Sequence, residues 1–440
     1  MCLALVSGGG ICCELHFSPI QLMKMNDLAP LIGLMLVIVN LHGQQLIDSE
    51  GYSIAEKHKI HSEILEEDRE IFIYKPKGFK AADEKVETYP LIIVLDGESQ
   101  FLNTVSAVDF LSSAPLGNDV IPRSIVVGIP NTNRNRDLTP TRGIIGKDST
   151  SINITGGGKA FLGFITDEII PFLDNNFPTS SHRTLIGHSL GGLIVFEALL
   201  NKREYFNNYL AIDPALNYDN GSYAKLVLDS LRTSDLRAEN LFLAKANTLP
   251  SFLSVNDLDN DDSEIVQITK GNSQFLQLSN SEVWNINGRF QDFPNEDHFS
   301  IPYLATHTGM KFFYDFYKFR EIIDYCHPSY AGRSDLVERL KAHYRLISER
   351  MGYELTPMQS YINSWAYGFA NFERPDLSIQ LFDYNIELYP GVSTVYNAKA
   401  YFLLNTGYKK EALKLFYQSL SVKKDERIQK LVEEIELNGN

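Results

Sequence analysis

Short apolar runs alternate with segments of helical spacing through most of the chain. Two continuous runs, LIIVLDG at 91–97 and SIVVGI at 124–129, predict strands that are buried on both faces, as in a parallel sheet. Four further runs predict strands at 184–186, 209–212, 241–246 and 283–290. Helical spacing of apolar residues predicts helices at 160–176 and 193–200. Because strands and helices alternate from about 89 to 320, the pattern predicts a mostly parallel α/β sheet with right-handed crossovers.

The pattern changes after about residue 335, where strand signals stop and helical periodicity continues. Dipeptides recur at a spacing of 34, namely Ala366-Tyr367 with Ala400-Tyr401 and Leu381-Phe382 with Leu415-Phe416. A period of 34 with helix–turn–helix content is typical of tetratricopeptide repeats. Two units are fewer than the three usually needed for stability, so we expect 334–352 to cap them or pack them onto the α/β domain. The region 334–436 is therefore predicted to be all-α and tetratricopeptide-like.

The N-terminal segment has the features of an export signal. A short basic region precedes the apolar run 28–41, and a small residue and two glutamines follow it. This arrangement predicts a secretory signal at 23–43, with an uncleaved anchor as the alternative. The apolar run is short for a membrane span. Residues 1–22 would then be a misassigned extension. We expect a periplasmic or secreted protein whose α/β domain occupies 50–325.

Composition narrows the classes of function. The 440 residues carry a formal net charge of −15, and a net acidic chain does not attract nucleic acid through its bulk charge. Of the four cysteines, three precede residue 14, so removal of the signal leaves Cys326 alone. One cysteine forms neither an internal disulfide nor a cysteine-rich zinc site. We therefore predict no nucleic-acid partner, no metal and no organic cofactor, and a packing role for Cys326.

The sequence GHSLGG at 187–192 is the strongest chemical signal in the chain. It follows a predicted strand and precedes a predicted helix, which is the context of a nucleophile elbow. The serine of such an elbow sits on a strained turn, and the glycines allow neighbouring backbone to approach. The turn lifts the hydroxyl to a helix N-terminus, where negative charge is stabilised. Ser189 is therefore the predicted nucleophile, and a strand–helix turn without activity is the alternative.

The general base is predicted from its place in the chain. Where an α/β sheet carries such an elbow, the catalytic residues follow the order serine, acid, histidine. His298 follows the last predicted strand and precedes an aromatic-rich segment at 310–319 that we expect to be helical. His307 is better explained as structural, and His188 as a lining or packing residue. His298 is therefore the expected base.

The acid is the least determined member of the set. It is expected on the loop after the strand 241–246, which is unusually acidic between 256 and 264. Asp262 is the preferred candidate, and the alternatives are Asp261, Asp257, Glu264 and, at the end of the preceding strand, Asp213. Alternating aspartates would also suit a calcium loop, but the glycine and the final glutamate of an EF-hand are missing. A plain helix N-cap is a further explanation of Asp262.

The region 59–318 resembles the putative esterase family, which groups esterase D, ferric enterobactin esterases and feruloyl esterases. The resemblance is carried by LIIVLDGES at 91–99, GIPNTNRNRDLTPT at 128–141, GHSLGG at 187–192, AIDPALNYDN at 211–220 and FPNEDHFSIP at 293–302. It implies an α/β-hydrolase fold and ester hydrolysis. An esterase domain followed by a tetratricopeptide tail is also similar to an arrangement found within that family.

The resemblance also implies roles for individual residues. The oxyanion donors would be the backbone N–H groups of Leu190, which also follows from the elbow, and of Glu98. Arg134 and Tyr218 would contact the substrate, with a salt-bridged loop as the alternative for the arginine. Relatives often carry aromatic residues where this chain has Asn217-Tyr218. The resemblance therefore leaves the ester open among siderophores, carbohydrates and other small esters.

Three functions remain open on the sequence alone. The first is a serine esterase that cleaves small-molecule esters through an acyl-enzyme. The second is a binding protein whose helical tail holds a peptide or protein partner on a degenerate hydrolase scaffold. The third is an acyltransferase, since the same triad would pass the acyl group to an alcohol other than water.

Overall fold

The computed structural model describes residues 53–79, 87–113, 119–146, 148–250, 252–253, 263–281 and 286–437. The predicted extension at 1–22 and the predicted signal at 23–43 lie outside these residues. Residues Ile54–Asn440 form one compact unit, so the sheet and the helical tail belong to the same body. In the described part of the chain, no helix combines the length and the apolar character needed to cross a membrane.

The described residues form one eight-stranded sheet in the order β1-β2-β4-β3-β5-β6-β7-β8. Its strands are β1 (Glu56–Ser62), β2 (Glu67–Tyr74), β3 (Tyr89–Leu95), β4 (Ile125–Ile129), β5 (Thr179–His188), β6 (Asn208–Ile212), β7 (Leu236–Ala246) and β8 (Ile286–Phe293). The pairs β1–β2 and β2–β4 are antiparallel, and every other pairing in the sheet is parallel. A mostly parallel sheet with an antiparallel edge confirms the predicted α/β class.

Helices connect the parallel strands and cover both faces of the sheet. They are α1 (Gly97–Leu111), α2 (Gly158–Gly163, continued through the π-helical Phe164–Ile169 to Ile170–Asn176), α3 (Leu190–Asn201), α4 (Ser222–Thr233), α5 (Glu264–Ser281) and α6 (Ile301–Phe313). Side chains of β3 alternate between the two cores. Leu91, Ile93 and Leu95 pack with residues of α2 and α3, whereas Ile92 and Val94 pack with residues of α1 and α6. Burial on both faces explains the continuous apolar runs.

Two predicted boundaries near the C-terminal edge of the sheet were wrong. The last strand was expected at 283–290, but β8 is Ile286–Phe293, and 282–285 lie outside the described residues. The aromatic segment at 310–319 was expected to be helical, but α6 ends at Phe313 and a turn follows. The helix instead begins at Ile301, with Pro302 in its first turn, where its fixed φ is favourable. Aromatic composition therefore misplaced the helix by about two turns.

The tail repeats itself with a period of 34 residues. A first helix, α7 (Leu336–Met351), is followed by two helical hairpins, α8 (Gln359–Asn371) with α9 (Pro375–Leu388) and α10 (Ser393–Asn405) with α11 (Lys409–Val422), and by α12 (Glu426–Leu437). Each boundary of the first hairpin recurs 34 residues later. The ring pairs Tyr367–Phe382 and Tyr401–Phe416 have the same geometry, with centroids 5.1 Å apart and planes at 77°. The recurring dipeptides therefore hold equivalent positions in two hairpins.

The tail packs onto the face of the sheet that carries α1 and α6. Buried residues of α7, such as Leu340 and Ile347, belong to the same apolar core as Val94 and Met310. At this junction Asp119 is 3% exposed and accepts a hydrogen bond from the Tyr344 hydroxyl at 3.3 Å. The tail is therefore continuous with the core of the α/β domain, which is one of the two roles expected for the stretch 334–352.

The buried Asp119 gives the junction a dependence on pH. Burial raises the pKa of Asp119 to about 6, although the hydrogen bond from Tyr344 lowers it. A carboxyl whose pKa is higher in the folded state contributes stability below its unfolded pKa, and that contribution is lost as pH rises through about 6. Asp119→Asn removes the ionisable group. We expect this variant to match the wild type at pH 4 and to exceed it by roughly 3 kcal/mol at pH 8.

Urea unfolding of both proteins at pH 4 and pH 8 measures this difference directly. Tyr344→Phe is the matched variant, because loss of its hydrogen bond removes an interaction that lowers the Asp119 pKa. Its stability should therefore fall more steeply between the two pH values than that of the wild type. An equal difference between Asp119→Asn and wild type at both pH values would contradict the assignment.

Candidate active site

Ser189 lies on a strained turn between β5 and α3. Its backbone has φ 58° and ψ −118°, a region that non-glycine residues rarely occupy. The turn depends on close backbone packing, because a Cβ at Gly187 would lie 2.2 Å from the Gly191 carbonyl oxygen. A Cβ at Gly192 would lie 2.6 Å from Pro214. These contacts explain why the GHSLGG sequence needs glycine on both sides of the serine.

The turn is held by backbone hydrogen bonds to the neighbouring strand. The Ser189 N–H donates to the Ile212 carbonyl at 3.0 Å, and the Ser189 carbonyl accepts from the N–H groups of Gly192 and Ala215. Leu190 is the first residue of α3, so its backbone N–H belongs to the end of the helix where negative charge is stabilised. The predicted oxyanion role of Leu190 is consistent with this position.

A buried Asp–His pair is formed by one residue that follows β6 and one that follows β8. His298 follows β8, and its Nδ1 is 2.7 Å from Oδ2 of Asp213, which directly follows β6. Asp213 is fully buried and His298 is 7% exposed. The other carboxylate oxygen, Oδ1, accepts from the Ala246 N–H and from Asn272 Nδ2, each at 3.0 Å. Asp213 is thus held in place against the His298 imidazole by two further hydrogen bonds.

The carboxylate that contacts His298 is not the one preferred from the sequence, which was Asp262. Asp262, Asp261 and Asp257 lie outside the described residues, and so does the candidate calcium loop. The structure brings Asp213, which was the last of the alternatives, to His298. In the described part of the chain, no group of three or more His, Cys, Asp or Glu residues is arranged to hold a metal ion.

The second predicted oxyanion donor, Glu98, lies at the start of α1. Asp96 before it has a left-handed backbone with φ 53°, and Gly97 packs so closely that a Cβ would lie 2.7 Å from the Ile129 nitrogen. The Glu98 carboxylate accepts from the backbone N–H and the side-chain amide of Asn131. This side chain is therefore anchored, which fixes the backbone that would present the Glu98 N–H.

Arg134, which was predicted to contact the substrate, is bonded to this turn. Its Nε and Nη2 donate to the two oxygens of Asp96 at 2.7 and 3.0 Å, and Nη2 lies 3.5 Å from the His188 carbonyl oxygen. Asp96 is 4% exposed, so its charge needs a partner. The arginine therefore links the turn before Glu98 to the strand that carries the elbow, which matches the salt-bridged-loop alternative.

This link predicts a kinetic signature for Arg134→Ala. Loss of a single oxyanion donor typically costs 10²–10³ in kcat, and displacement of the turn that presents one should cost about tenfold. The loss should fall on kcat with KM nearly unchanged, because the arginine holds the turn and not the substrate. Steady-state kinetics of ester hydrolysis by Arg134→Ala measure the effect. Arg142→Ala, at an exposed arginine, is the control. A raised KM with normal kcat would instead restore the substrate-binding role.

Tyr218 is buried and bonded internally. Its side chain is 2% exposed, and its hydroxyl donates to the Thr141 carbonyl at 2.7 Å. The predicted contact with substrate gains no support from this position, because the ring packs in the core under the loop at 141–144. Sequence reasoning could not detect this, since a tyrosine beside a polar loop is equally compatible with both environments.

His188 lies against His298. The His188 and His298 ring centroids are 4.5 Å apart, and His188 Nε2 is buried with no hydrogen-bond partner among the described residues. Burial, and secondarily the nearby His298, lower the pKa of His188 to about 3. His188 is therefore neutral at ordinary pH and packs on the His298 ring, which agrees with its prediction as a lining or packing residue. His307 is in α6, and Cys326 is partly exposed and outside this site.

The sheet order, the strained serine turn and the buried Asp–His pair define an α/β-hydrolase. The family model described as "Putative esterase" matches residues 62–285, about half of the chain. The chain belongs to the putative esterase family, as its motifs indicated.

Named relatives agree with the family. The chain is 31% identical over 165 residues to ferri-bacillibactin esterase BesA of Bacillus subtilis, covering 34% of this chain and 54% of the relative. It is 29% identical over 138 residues to a siderophore triacetylfusarinine C esterase of Aspergillus fumigatus, covering 29% and 44%. The chain thus spans about half the length of these curated relatives. An IroE-like serine hydrolase from Shewanella oneidensis superposes with a TM-score of 0.60 at 27% identity, covering 76% of this chain and 99% of that one.

Proposed function

We propose that this protein hydrolyses carboxylic esters through an acyl-enzyme, with Ser189 as nucleophile, His298 as general base and Asp213 as the orienting acid. The observation that carries the proposal is the 2.7 Å contact between Asp213 and His298 Nδ1, buried beside a serine with a strained backbone. The contact leaves Nε2 of His298 as the atom that takes the serine proton. Leu190 and Glu98 are proposed as the oxyanion donors.

The proposed chemistry has two balanced steps. In the first, Ser189 Oγ attacks the ester carbonyl, its proton passes to His298 Nε2, and the leaving alcohol departs with that proton. In the second, water attacks the acyl-enzyme, gives a proton to His298, and Ser189 leaves with it as the acid is released. Each step passes through an oxyanion, which backbone N–H groups stabilise more strongly than the neutral carbonyl.

The substrate class is proposed from both chemistry and relatives. Backbone N–H donors and a Ser–His–Asp set act on any activated or alkyl ester that reaches them. The names of two relatives state that they act on siderophores, namely ferri-bacillibactin and triacetylfusarinine C. We include a siderophore ester among the candidate substrates, together with other small esters. Export to the periplasm or medium is part of the proposal and rests on the sequence of 23–43.

The helical tail is proposed to be a tetratricopeptide-like pair of repeats that stabilises the hydrolase domain. The shared apolar core and the junction between Tyr344 and Asp119 support this role. Two hairpins alone bury less apolar surface than the three or more repeats that a stable array usually needs, so they require packing against the hydrolase domain.

The test of the function is a panel of p-nitrophenyl esters of increasing acyl length, assayed with purified full-length protein. We expect turnover of at least one short ester and labelling of Ser189 by a fluorophosphonate probe. Transfer of the acyl group to an added alcohol, faster than hydrolysis, would identify an acyltransferase instead. Absence of both turnover and labelling from a folded protein would refute the proposal.

A further inference from the structure

The loop between β8 and α6 holds a phenyl ring in solvent beside the proposed base. Phe299 directly follows His298 in the chain and is 81% exposed, whereas His298 is buried. The centroids of the two rings are 5.3 Å apart and their planes meet at 83°, which is an edge-to-face contact. The Phe299 ring therefore borders the imidazole and leaves most of its apolar surface accessible to a ligand.

The backbone that carries this ring is fixed by its neighbours. The Asp297 Oδ1 atom accepts hydrogen bonds from the N–H groups of Phe299 and Ser300, each at 2.8 Å. The Ser300 hydroxyl donates to the Glu296 carboxylate at 2.6 Å, and the Glu296 carbonyl accepts from the Asn247 N–H at 2.8 Å. A ring on a loop that is held in this way loses little backbone freedom when a ligand covers it.

Exposed apolar surface continues from Phe299 along the start of α6. The Ile301 N–H donates to the Asp297 carbonyl at 3.1 Å, so a helical turn already begins before α6 itself. Residues four apart in such a turn lie on the same side, which places Tyr303 one turn beyond Phe299. Tyr303 and its neighbour Leu304 are 42% and 40% exposed. Phe299, Tyr303 and Leu304 thus form an exposed apolar strip that starts beside the proposed base.

The chemistry proposed for His298 determines which part of an ester meets the apolar strip. In the acylation step, His298 Nε2 gives its proton to the alcohol oxygen that leaves, so the alcohol portion of the ester lies against the imidazole. The carbonyl oxygen is instead directed at the proposed backbone donors, Leu190 and Glu98. A phenyl ring that borders the imidazole is therefore on the alcohol side of the ester.

We propose that the apolar strip binds the alcohol portion of the ester substrate, and that Phe299 selects alcohols that carry an aromatic ring close to the ester oxygen. The inference rests on the proposed esterase function and specifies its substrate class. Aromatic rings attract each other at centroid separations of about 4.5–7 Å, so a ring joined to the ester oxygen by one or two carbon atoms would reach Phe299. Tyr303 and Leu304 would contact the outer part of a longer alcohol.

The test compares matched esters on the full-length protein, with hydrolysis followed by titration of the released acid. On the alcohol side, 2-phenylethyl acetate is compared with butyl acetate. On the acyl side, methyl 3-phenylpropionate is compared with methyl valerate. Each pair exchanges a phenyl group for an ethyl group at one position, so the ratio of kcat/KM within a pair reports recognition of the ring. We expect the wild type to prefer 2-phenylethyl acetate over butyl acetate.

Variants then assign this preference to Phe299. Phe299→Ala should lower the kcat/KM ratio of the two acetates about two- to tenfold, as expected for the loss of one aromatic contact, and should leave the ratio of the acyl pair unchanged. Phe299→Tyr keeps the ring and should keep the preference. Phe110→Ala is the matched control, because it removes another exposed phenyl group near the far end of α1, about 20 Å from the first residue of that helix. It should change neither ratio.

The outcomes separate this inference from the function on which it rests. Equal kcat/KM for the two acetates in the wild type, or an unchanged ratio in Phe299→Ala, would overturn the inference and leave the esterase intact if turnover still requires Ser189. A loss of the same size for both acetates would show that the ring only supports His298. A change confined to the acyl pair would place the ring on the other side of the ester, and either result would overturn the assignment. Turnover that persists in Ser189→Ala would instead refute the function.

Discussion

Ser189→Ala is expected to reduce ester turnover by about 10⁶-fold while the protein stays folded, since loss of the nucleophile from a catalytic triad has an effect of that size. Alanine keeps the Cβ and the backbone contacts of the elbow, in which the residue 189 N–H donates to the Ile212 carbonyl and the residue 189 carbonyl accepts from the Ala215 N–H. The backbone at φ 58° is then no more strained than before. Turnover of the best p-nitrophenyl ester and thermal unfolding should be measured on the same preparation.

A double variant shows whether Ser189 and His298 act as one unit. If the serine and the histidine perform one proton transfer, Ser189→Ala, His298→Ala and the double variant should all lose activity by similar factors. Independent roles would make the double loss close to the product of the single losses. A Ser189→Ala protein that retains fluorophosphonate labelling would place the nucleophile elsewhere.

The fold could be predicted from the sequence, and Ser189 and His298 of the proposed site could be singled out, because each leaves a signature in the sequence or in the order of the chain. Buried parallel strands must be apolar on both faces, and that requirement produced the runs at 91–97 and 124–129. The elbow requires glycine where a Cβ would meet backbone, as at Gly187. His298 follows from the order of the chain, because it stands after the last strand of the sheet. These features depend on neighbours in sequence.

The acid could not be chosen in this way, because its identity depends on side-chain direction across strands. The loop at 256–264 attracted the prediction through its density of carboxylates. Asp213 offered a weaker signal, a single aspartate directly after the apolar strand β6. Its backbone has φ 38°, which is uncommon for a non-glycine residue and typical of functional turns. The spacing of residues in a single sequence does not reveal that the Asp213 carboxylate reaches His298, which follows β8.

Arg134 and Tyr218 illustrate a further limit of sequence reasoning. The type of a side chain shows which bonds it can make, but not which partner is within reach. Asp96 lies 38 residues before Arg134 in the chain and is brought to it by the pairing of β3 with β4. The Tyr218 hydroxyl donates to the Thr141 carbonyl, which is 77 residues away in the sequence. The resemblance assigned both residues to substrate, and the structure gives Arg134 an ion pair with Asp96 and Tyr218 a hydrogen bond to Thr141.

Asp213→Asn distinguishes the two candidate acids and has the second-largest expected effect. The substitution preserves volume at a fully buried position, so the fold should survive. Oδ1 of Asp213 accepts from the Ala246 N–H and from Asn272 Nδ2, so an asparagine must place its oxygen there. Its NH₂ group then faces His298 Nδ1 and donates to it.

That donation forces the wrong tautomer of the imidazole. With Nδ1 acting as acceptor, the proton of neutral His298 moves to Nε2, and Nε2 can no longer take the proton of Ser189. Substitution of a triad aspartate by asparagine lowers kcat by about 10⁴ for this reason, and we expect about 10³–10⁴ here. The loss should appear in kcat and in kcat/KM alike, because substrate binding does not involve Asp213.

Asp262→Asn is the matched control, since it makes the same chemical change on the loop that the sequence favoured. With Asp213 as the acid, Asp262→Asn should retain nearly full kcat, and the double variant should be no slower than Asp213→Asn alone. Steady-state kinetics on the four proteins decide the matter. A nearly silent Asp213→Asn together with a severe Asp262→Asn would assign the acid to the loop after β7. Two nearly silent variants would mean that Ser189 and His298 work as a dyad, with Asp213 serving only to satisfy the buried ring.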